Sequence, residues 1–203
     1  MTLVSELTAE KIEAQLAQDA PASDPRDQHM SWIPSGVRVT DAAVMVPLVN
    51  RRIALTVLLT QRTAHLNDHA GQISFPGGRV DTIDTSREDT ALRETEEEIG
   101  LPRSRITVLG RLPEYEIPTG FRITPIVGWI EPPFDLALDA FEVASAFEAP
   151  LCHFLDLERY QRRNYQFEGR HRHYMAIPYE GRYIWGATAG MLYSLARVLC
   201  GSR

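Results

Sequence analysis

The segment Arg93-Glu94-Thr95-Glu96-Glu97-Glu98-Ile99-Gly100-Leu101 constrains the fold more than any other part of the chain. It reads as the end of a helix, because glycine just past the last turn is the usual stop signal. On that helix Leu92, Thr95 and Ile99 share one face, while Glu94, Glu97 and Glu98 stand at i, i+3 and i+4 on another. One face can pack and the other gathers charge. Like charges at this spacing each cost about 0.2–0.5 kcal/mol, and carboxylates in the last turn oppose the helix dipole by about 0.3–1 kcal/mol each. Nothing in helix stability asks for this. A divalent cation would reverse the sign of both terms, and hard oxygen donors on one rigid face suit magnesium or manganese. The alternative reading is a solvated acidic face, the usual fate of a charge run. Two neighbours weigh against it. Arg93 precedes Glu97 by one helical turn, where its guanidinium can hold that carboxylate in one orientation. Phe75-Pro76-Gly77-Gly78 lies upstream, where the backbone can turn tightly and offer carbonyls and amides to a ligand.

Around this helix the pattern is mixed. Residues 8–18 read as a short amphipathic helix, with Thr8 as N-cap and Leu7 placed to staple onto Ile12, and this helix is expected to be peripheral. Residues 19–35 hold Pro21, Pro25 and Pro34 among Asp and Ser and read as a linker. The chain is thereby divided into an arm over 1–35 and a main domain over 36–203. Residues 44–49 and 53–60 read as strands joined in a hairpin through 50–52. Residues 72–75 read as a short strand stopped by Pro76-Gly77-Gly78, and 106–112 and 122–130 as further strands flanking a loop over 113–120. Residues 142–157 have helical character broken at Pro150, 165–183 alternates like a hairpin, and 186–199 reads as a terminal helix. No regular βαβ alternation appears, so the expected class is α+β with a mixed sheet.

The chain carries 27 Asp and Glu against 21 Lys and Arg, a formal charge of −6. With no basic run in the sequence, this balance argues against a duplex nucleic-acid partner. It leaves open a substrate whose phosphates are carried by metal ions. Cys152 and Cys200 suit neither a disulfide framework nor a CxxC or zinc spacing and read as reduced thiols of a cytoplasmic protein. No leader pattern and no run of about 18 apolar residues is evident, so no membrane association is expected.

Gly78 followed by Arg93-Glu94-x-x-Glu97-Glu98-x-Gly100-Leu101 resembles the Nudix box, the loop–helix–loop signature of hydrolases that cleave a diphosphate linked to another moiety. The gap from Gly78 to Arg93 is one residue longer than in the general box. Asp81 or Asp84 stands for the acidic residue usual early in the loop, and Thr95 stands where a small aliphatic residue is common. The longer loop is shared with coenzyme A pyrophosphatases. Leu58-Leu59-Thr60-Gln61-Arg62-Thr63, Gly71 and Phe75-Pro76-Gly77-Gly78 are similar to the signature upstream of the box in that subfamily. So are Tyr115 to Pro125, with Thr119-Gly120-Phe121 and Thr124-Pro125, and Ile184-Trp185-Gly186-Ala187-Thr188-Ala189. Asn67 departs from the basic residue usual at its position.

The resemblance implies an α/β/α sandwich around a mixed sheet, within the α+β class, and attack of water on one phosphorus of a diphosphate. It implies Glu94, Glu97 and Glu98 as ligands of Mg2+ or Mn2+, with the Gly78 carbonyl as a further ligand and Arg93 in an orienting role. Glu97 and Glu142 are both eligible as general base. Arg62 is expected to contact a substrate phosphate, where a charged bidentate donor suits the chemistry, and Arg79 and Phe75, beside Gly78, to contact substrate as well. His65 and His69 flank the same loop and either touch substrate or are merely exposed. Trp32, Trp129 and Trp185 read as core or edge residues. The implied substrate is coenzyme A or a derivative, cleaved to 3′,5′-ADP and a 4′-phosphopantetheine. The alternatives are another nucleoside diphosphate derivative such as ADP-ribose or NADH, a nucleotide sugar or capped RNA, or a nucleotide sensor without hydrolysis. The complete set of helix carboxylates with Arg93 weighs against the sensor. Dimers are common in the family, so the expected partners are a small-molecule substrate and a second copy, with neither nucleic acid nor membrane.

Overall fold

The computed structural model describes residues 7–18, 32–65, 70–167 and 169–201. Its centre is a fork. Strands β1 (Thr40–Asn50) and β2 (Leu55–Arg62) pair antiparallel only beside their turn, from Leu48↔Val57 to Asn50↔Leu55. Ile53, expected within the second strand, is in that turn and exposed. Beyond the turn the strands part and the segment after Gly71 enters between them. There β3 (Ile73–Ser74) pairs with β2 and β4 (Gly77–Arg79) pairs with β1. The strand expected to end at Pro76-Gly77-Gly78 thus continues past it, and the Met45 amide donates to the Pro76 carbonyl at 2.8 Å. Gly77 has φ +155°, and a Cβ there would lie 2.5 Å from the Ala43 carbonyl oxygen. No other residue fits so close to the β1 backbone.

Strand β7 (Phe121–Ile130) runs parallel to β1 from Thr40↔Phe121 to Val49↔Ile130. Strand β5 (Ile106–Arg111) lies antiparallel beyond β7, and β6 (Tyr115–Glu116), inside the expected loop, pairs with the start of β7. Strand β8 (Val143–Pro150) closes the other side against β2. The result is an eight-stranded mixed sheet. The expected helix over 142–157 is corrected here: only Leu151–Leu155 is α-helical, as α3, and a 3-10 turn follows from Leu157. Alanine and glutamate favour a helix locally, but the ladder offered by β2 from Thr56 to Arg62 outweighs propensity.

Helix α2 (Arg87–Ile99) covers one face of the sheet. Ser86 caps it by accepting from the Asp89 amide at 3.1 Å, and Gly100, at φ +67°, donates to the Glu96 carbonyl at 3.0 Å. Ala91 and Ile99 pack there with Ala43, Met45, Leu58, Ile126 and Ile130. Helices α1 (Ala9–Ala17), α3 and α4 (Ala187–Cys200) lie on the opposite face with a three-stranded antiparallel sheet, β9 (Gln161–Phe167), β10 (Arg170–Tyr179) and β11 (Arg182–Trp185). The single hairpin expected over 165–183 is therefore two hairpins. Helix α1 is not peripheral. Its Ile12 is wholly buried, and Gln15 Nε2 donates to the Leu199 carbonyl at 3.2 Å.

The three-stranded sheet also alters the reading of charge. Residues 159–182 hold six of the 21 Lys and Arg and two of the 27 Asp and Glu, which is +4, leaving −10 on the remainder. A whole-chain balance conceals that segregation. No helix among the described residues is long and apolar enough to cross a membrane.

Candidate active site

The fork places Gly78 directly beneath α2. A Cβ at Gly78 would stand 2.5 Å from the Glu94 carboxyl carbon, so the carboxylate lies against bare backbone. Gly78→Ala is expected to push Glu94 aside, since the carboxylate is the movable partner. Turnover should fall by about tenfold or more, with a stability loss of about 1–2 kcal/mol measured by chemical denaturation.

Arg93 organises the neighbouring charges. Its Nε donates to Asp84 Oδ1 at 2.8 Å and its Nη2 to Asp84 Oδ2 at 2.9 Å, a two-pronged pair. The Nη1 group donates to Glu94 Oε1 at 2.8 Å and to Glu97 Oε2 at 2.9 Å, and Nη2 also reaches the Arg79 carbonyl at 3.2 Å. One guanidinium therefore ties the loop, the fork strand and two helix carboxylates together. The Asp84 side chain is 2% exposed. Its hydrogen bonds from Arg93 hold it well below the usual carboxylate range, with smaller help from the Asp81 amide and Thr90. Of the two acidic residues left open by the sequence, Asp84 is the one that engages Arg93. Asp81 accepts instead from Thr82 and the Ile83 amide.

Glu98 is where the sequence reading of the helix needs correction. Grouped there with the charged face, it lies only about 60° round the helix from Thr95, on the flank of the packed face, and is 4% exposed. Burial pushes its carboxyl up to about 8; Arg62 opposes the shift, while Glu142 and Glu94 add to it. Arg62, at the end of β2, brings Nη1 to 3.8 Å from Glu98 and Nη2 to 3.9 Å from Glu142, and its buried Nε has no hydrogen-bond partner. These are long contacts, so the charge on Glu98 is incompletely balanced by protein. Burial also raises Glu94, opposed by Arg93. Glu97 is outermost, with its side chain 60% exposed.

Glu142 arrives from the far side of the cleft. The Ala137 and Asp139 amides each donate at 2.9 Å to the Ile99 and Glu98 carbonyls, the unpaired acceptors at the end of α2. The loop thus anchored ends in a turn clamped to β2: the Thr63 amide donates to the Glu142 carbonyl at 3.0 Å and Thr63 Oγ1 to the Phe141 carbonyl at 2.8 Å. Glu94, Glu97, Glu98, Gly78, Arg93, Arg62 and Glu142 are brought together. Phe75 and Arg79 are not. Phe75 is 3% exposed in the core on the opposite face, which leaves no surface for a substrate. Arg79 alternates with Gly78 along β4, and its guanidinium stands over Phe121, 5.2 Å from the ring centre, away from the carboxylates. His65 sits at the rim, its ring 5.0 Å from that of Phe141. Asn67 and His69 lie outside the described residues. Trp129 is a core residue, Trp185 is exposed on β11 and Trp32 is half-buried. Phe141 went unrecognised in the sequence, where its only signal is adjacency to Glu142.

The NUDIX domain family profile matches residues 39–175, about two thirds of the chain. The chain belongs to the Nudix family. Nudix relatives include a protein of Escherichia coli O7:K1, described as the uncharacterized Nudix hydrolase NudL, which is 45% identical over 156 residues covering 76% of this chain and 80% of its own. The NudL of E. coli K12 is 44% identical over the same extent. Among solved structures, a C. elegans Ap4A hydrolase binary complex aligns with TM-score 0.47 and 23% identity over 56% of this chain and 81% of its own. By its family match and its NudL relatives the protein is an enzyme, a Nudix diphosphatase, and its mixed sheet with helices is the Nudix fold.

Nudix hydrolases generally work with divalent metal ions. Among the described residues no three carboxylate, imidazole or thiol groups converge as a ready-made cation cage, because Arg93 draws on Glu94 and Glu97 while Glu98 faces Arg62. The donors nevertheless fit such an ion. They are hard carboxylate oxygens around a glycine with no side chain, and the most buried of them lacks a close counter-charge.

Proposed function

We propose that this Nudix enzyme hydrolyses the diphosphate of coenzyme A or a derivative to 3′,5′-ADP and a 4′-phosphopantetheine, in the cytoplasm and with Mg2+ or Mn2+. What carries the reading is the meeting of the subfamily-like segments at one place. Thr63 and Gly71 bond through backbone at 3.3 Å, the Arg62 amide donates to the Gln72 carbonyl at 2.9 Å, and Thr188 Oγ1 donates to the Ile73 carbonyl at 3.1 Å. Thr188, distant in sequence, is thus bonded to the strand that leads into Gly78.

Glu94, Glu97 and Glu98, with the Gly78 carbonyl, would hold the cation. When bound, it supplies Lewis-acid polarisation of the diphosphate oxygens. Arg62 binds the phosphate, the long ion pairs of its two Nη groups leaving donors to give. Glu142 takes the proton of the attacking water. Between the two eligible bases it is favoured by position: it faces the helix carboxylates across the cleft and is tied only loosely by Arg62, whereas Glu97 is held at 2.9 Å by Arg93. Arg93 keeps Glu94 and Glu97 in one orientation.

The deciding measurement is product identity from purified protein with a panel of diphosphates, each with Mg2+, Mn2+ and excess chelator. Coenzyme A should yield 3′,5′-ADP and 4′-phosphopantetheine, and chelator should abolish the reaction. AMP from ADP-ribose without phosphopantetheine from coenzyme A would overturn the substrate, and tight binding with no cleavage in saturating metal would favour a sensor.

A further inference from the structure

Phe141 is 65% exposed although its backbone is among the best-anchored at the site. Its amide donates to Asp139 Oδ1 at 2.9 Å, its carbonyl accepts from Thr63 Oγ1, and Asp139 is itself bonded to the end of α2. A rigid turn therefore holds a large apolar ring in water beside Glu142, which burial alone would disfavour. Its described ring neighbour is the His65 imidazole, with centroids 5.0 Å apart and planes inclined by 59°. We infer that Phe141, flanked by His65, is the subsite that stacks the heteroaromatic base of the substrate. The inference rests on the reading of this site as a diphosphate-cleaving centre.

Charge and shape select the occupant. The Phe141 ring is apolar and offers a phosphate no hydrogen-bond donor, so the group docking here is an uncharged part of the substrate. The diphosphate belongs on the Arg62 side. Of the uncharged parts of such a molecule, a base has the flat π-face that an aromatic pair prefers, and base–aromatic stacking is worth about 1–3 kcal/mol. An aliphatic arm would gain little from two inclined rings over one branched side chain. Pre-anchoring of the turn means that little ordering is needed on binding.

The test compares Phe141→Ala, Phe141→Leu and Phe141→Trp with the wild type by calorimetry, using 3′,5′-ADP and 4′-phosphopantetheine as separate probes. Phe141→Ala should weaken 3′,5′-ADP by about tenfold, near the lower end of the stacking range. Phe141→Trp should restore affinity to within about twofold, and Phe141→Leu should not. Affinity for 4′-phosphopantetheine should be the same in all four proteins. In turnover of coenzyme A, KM should rise by about tenfold in Phe141→Ala with kcat within about twofold. Unchanged nucleotide affinity in Phe141→Ala, an equal loss for 4′-phosphopantetheine, or no measurable nucleotide binding by the wild type would each overturn the inference. Because the ring is exposed, thermal midpoints should agree within a few degrees, which separates stacking from misfolding. Cleavage of coenzyme A with no effect of Phe141 sinks the subsite alone. Nucleotide binding through Phe141 without cleavage of coenzyme A sinks the substrate assignment and leaves the subsite standing.

Discussion

Replacing Glu98 with glutamine is expected to lower turnover by about 100-fold or more, equivalent to about 2.7 kcal/mol of barrier, while leaving the fold intact. Glutamine keeps the shape of the side chain and removes the charge that a cation would meet. The stability of the metal-free protein should separate this from a packing defect. Burial raises the Glu98 carboxyl to about 8, from an ordinary 4.5. The folded state therefore holds this proton more tightly than the unfolded chain. The stability so contributed is fully present below about pH 4.5 and is lost as pH rises through about 8, an effect of at most about 5 kcal/mol. Glutamine has no proton to lose. In denaturant titrations with chelator, wild type and Glu98→Gln should be close at pH 5, with the variant the more stable at pH 9. Mn2+ should then recover stability in the wild type more than in the variant, by binding the folded state. A nearly fully active variant, or one less stable at pH 9, would contradict this account of Glu98.

The second large effect is expected at Asp84, which is remote from the reacting atoms. Asp84→Asn removes the charge that receives both prongs of Arg93, leaving a mostly buried guanidinium short of one anion. Breaking one side of a buried pair costs about 3–5 kcal/mol. Arg93 should then shift toward Glu94 and Glu97, and turnover should fall by about tenfold or more through misplacement of those carboxylates. The pH dependence has the opposite sign to that of Glu98. A carboxyl held below its ordinary value of 3.8 contributes stability that is present above that value and is lost as pH falls through the folded one. The stability gap between wild type and Asp84→Asn should therefore be full at neutral pH and narrow progressively below about pH 4. Arg93→Lys offers a control, because an ammonium cannot span Asp84, Glu94, Glu97 and the Arg79 carbonyl at once. A gap that stays constant into acid would show that the asparagine damages packing rather than the ion pair.

Much of this site is legible along the chain because its chemistry is local. Glu94, Glu97 and Glu98 share one helix, Arg93 reaches Glu97 within one turn, and Ser86 and Gly100 cap the helix by rules of short range. The first helix, the terminal helix and the strands at 106–112 and 122–130 are readable for the same reason. The exceptions are all long-range. Val143–Pro150 carries helix-favouring residues and becomes a strand because β2 presents an edge to it. Gly77 and Gly78 read as a stop and prove to be a strand, since what they do depends on β1 and β2 parting. Phe75 and Arg79 sit beside Gly78 in sequence but face away from it, because side chains on a strand alternate between faces.

The sequence by itself determined the family and the charged groups of its signature: three carboxylates and an arginine at helical spacing, preceded by two glycines. Tertiary structure decided what state those groups are in. Packing of α2 onto the sheet took Glu98 out of water, the fork set Glu94 against bare backbone, and the 131–142 loop brought Glu142 and Phe141 to the opposite rim. A carboxylate's charge is written in the chain. Its solvation and its counter-charges depend on residues tens of positions away, and only the folded molecule brings them near.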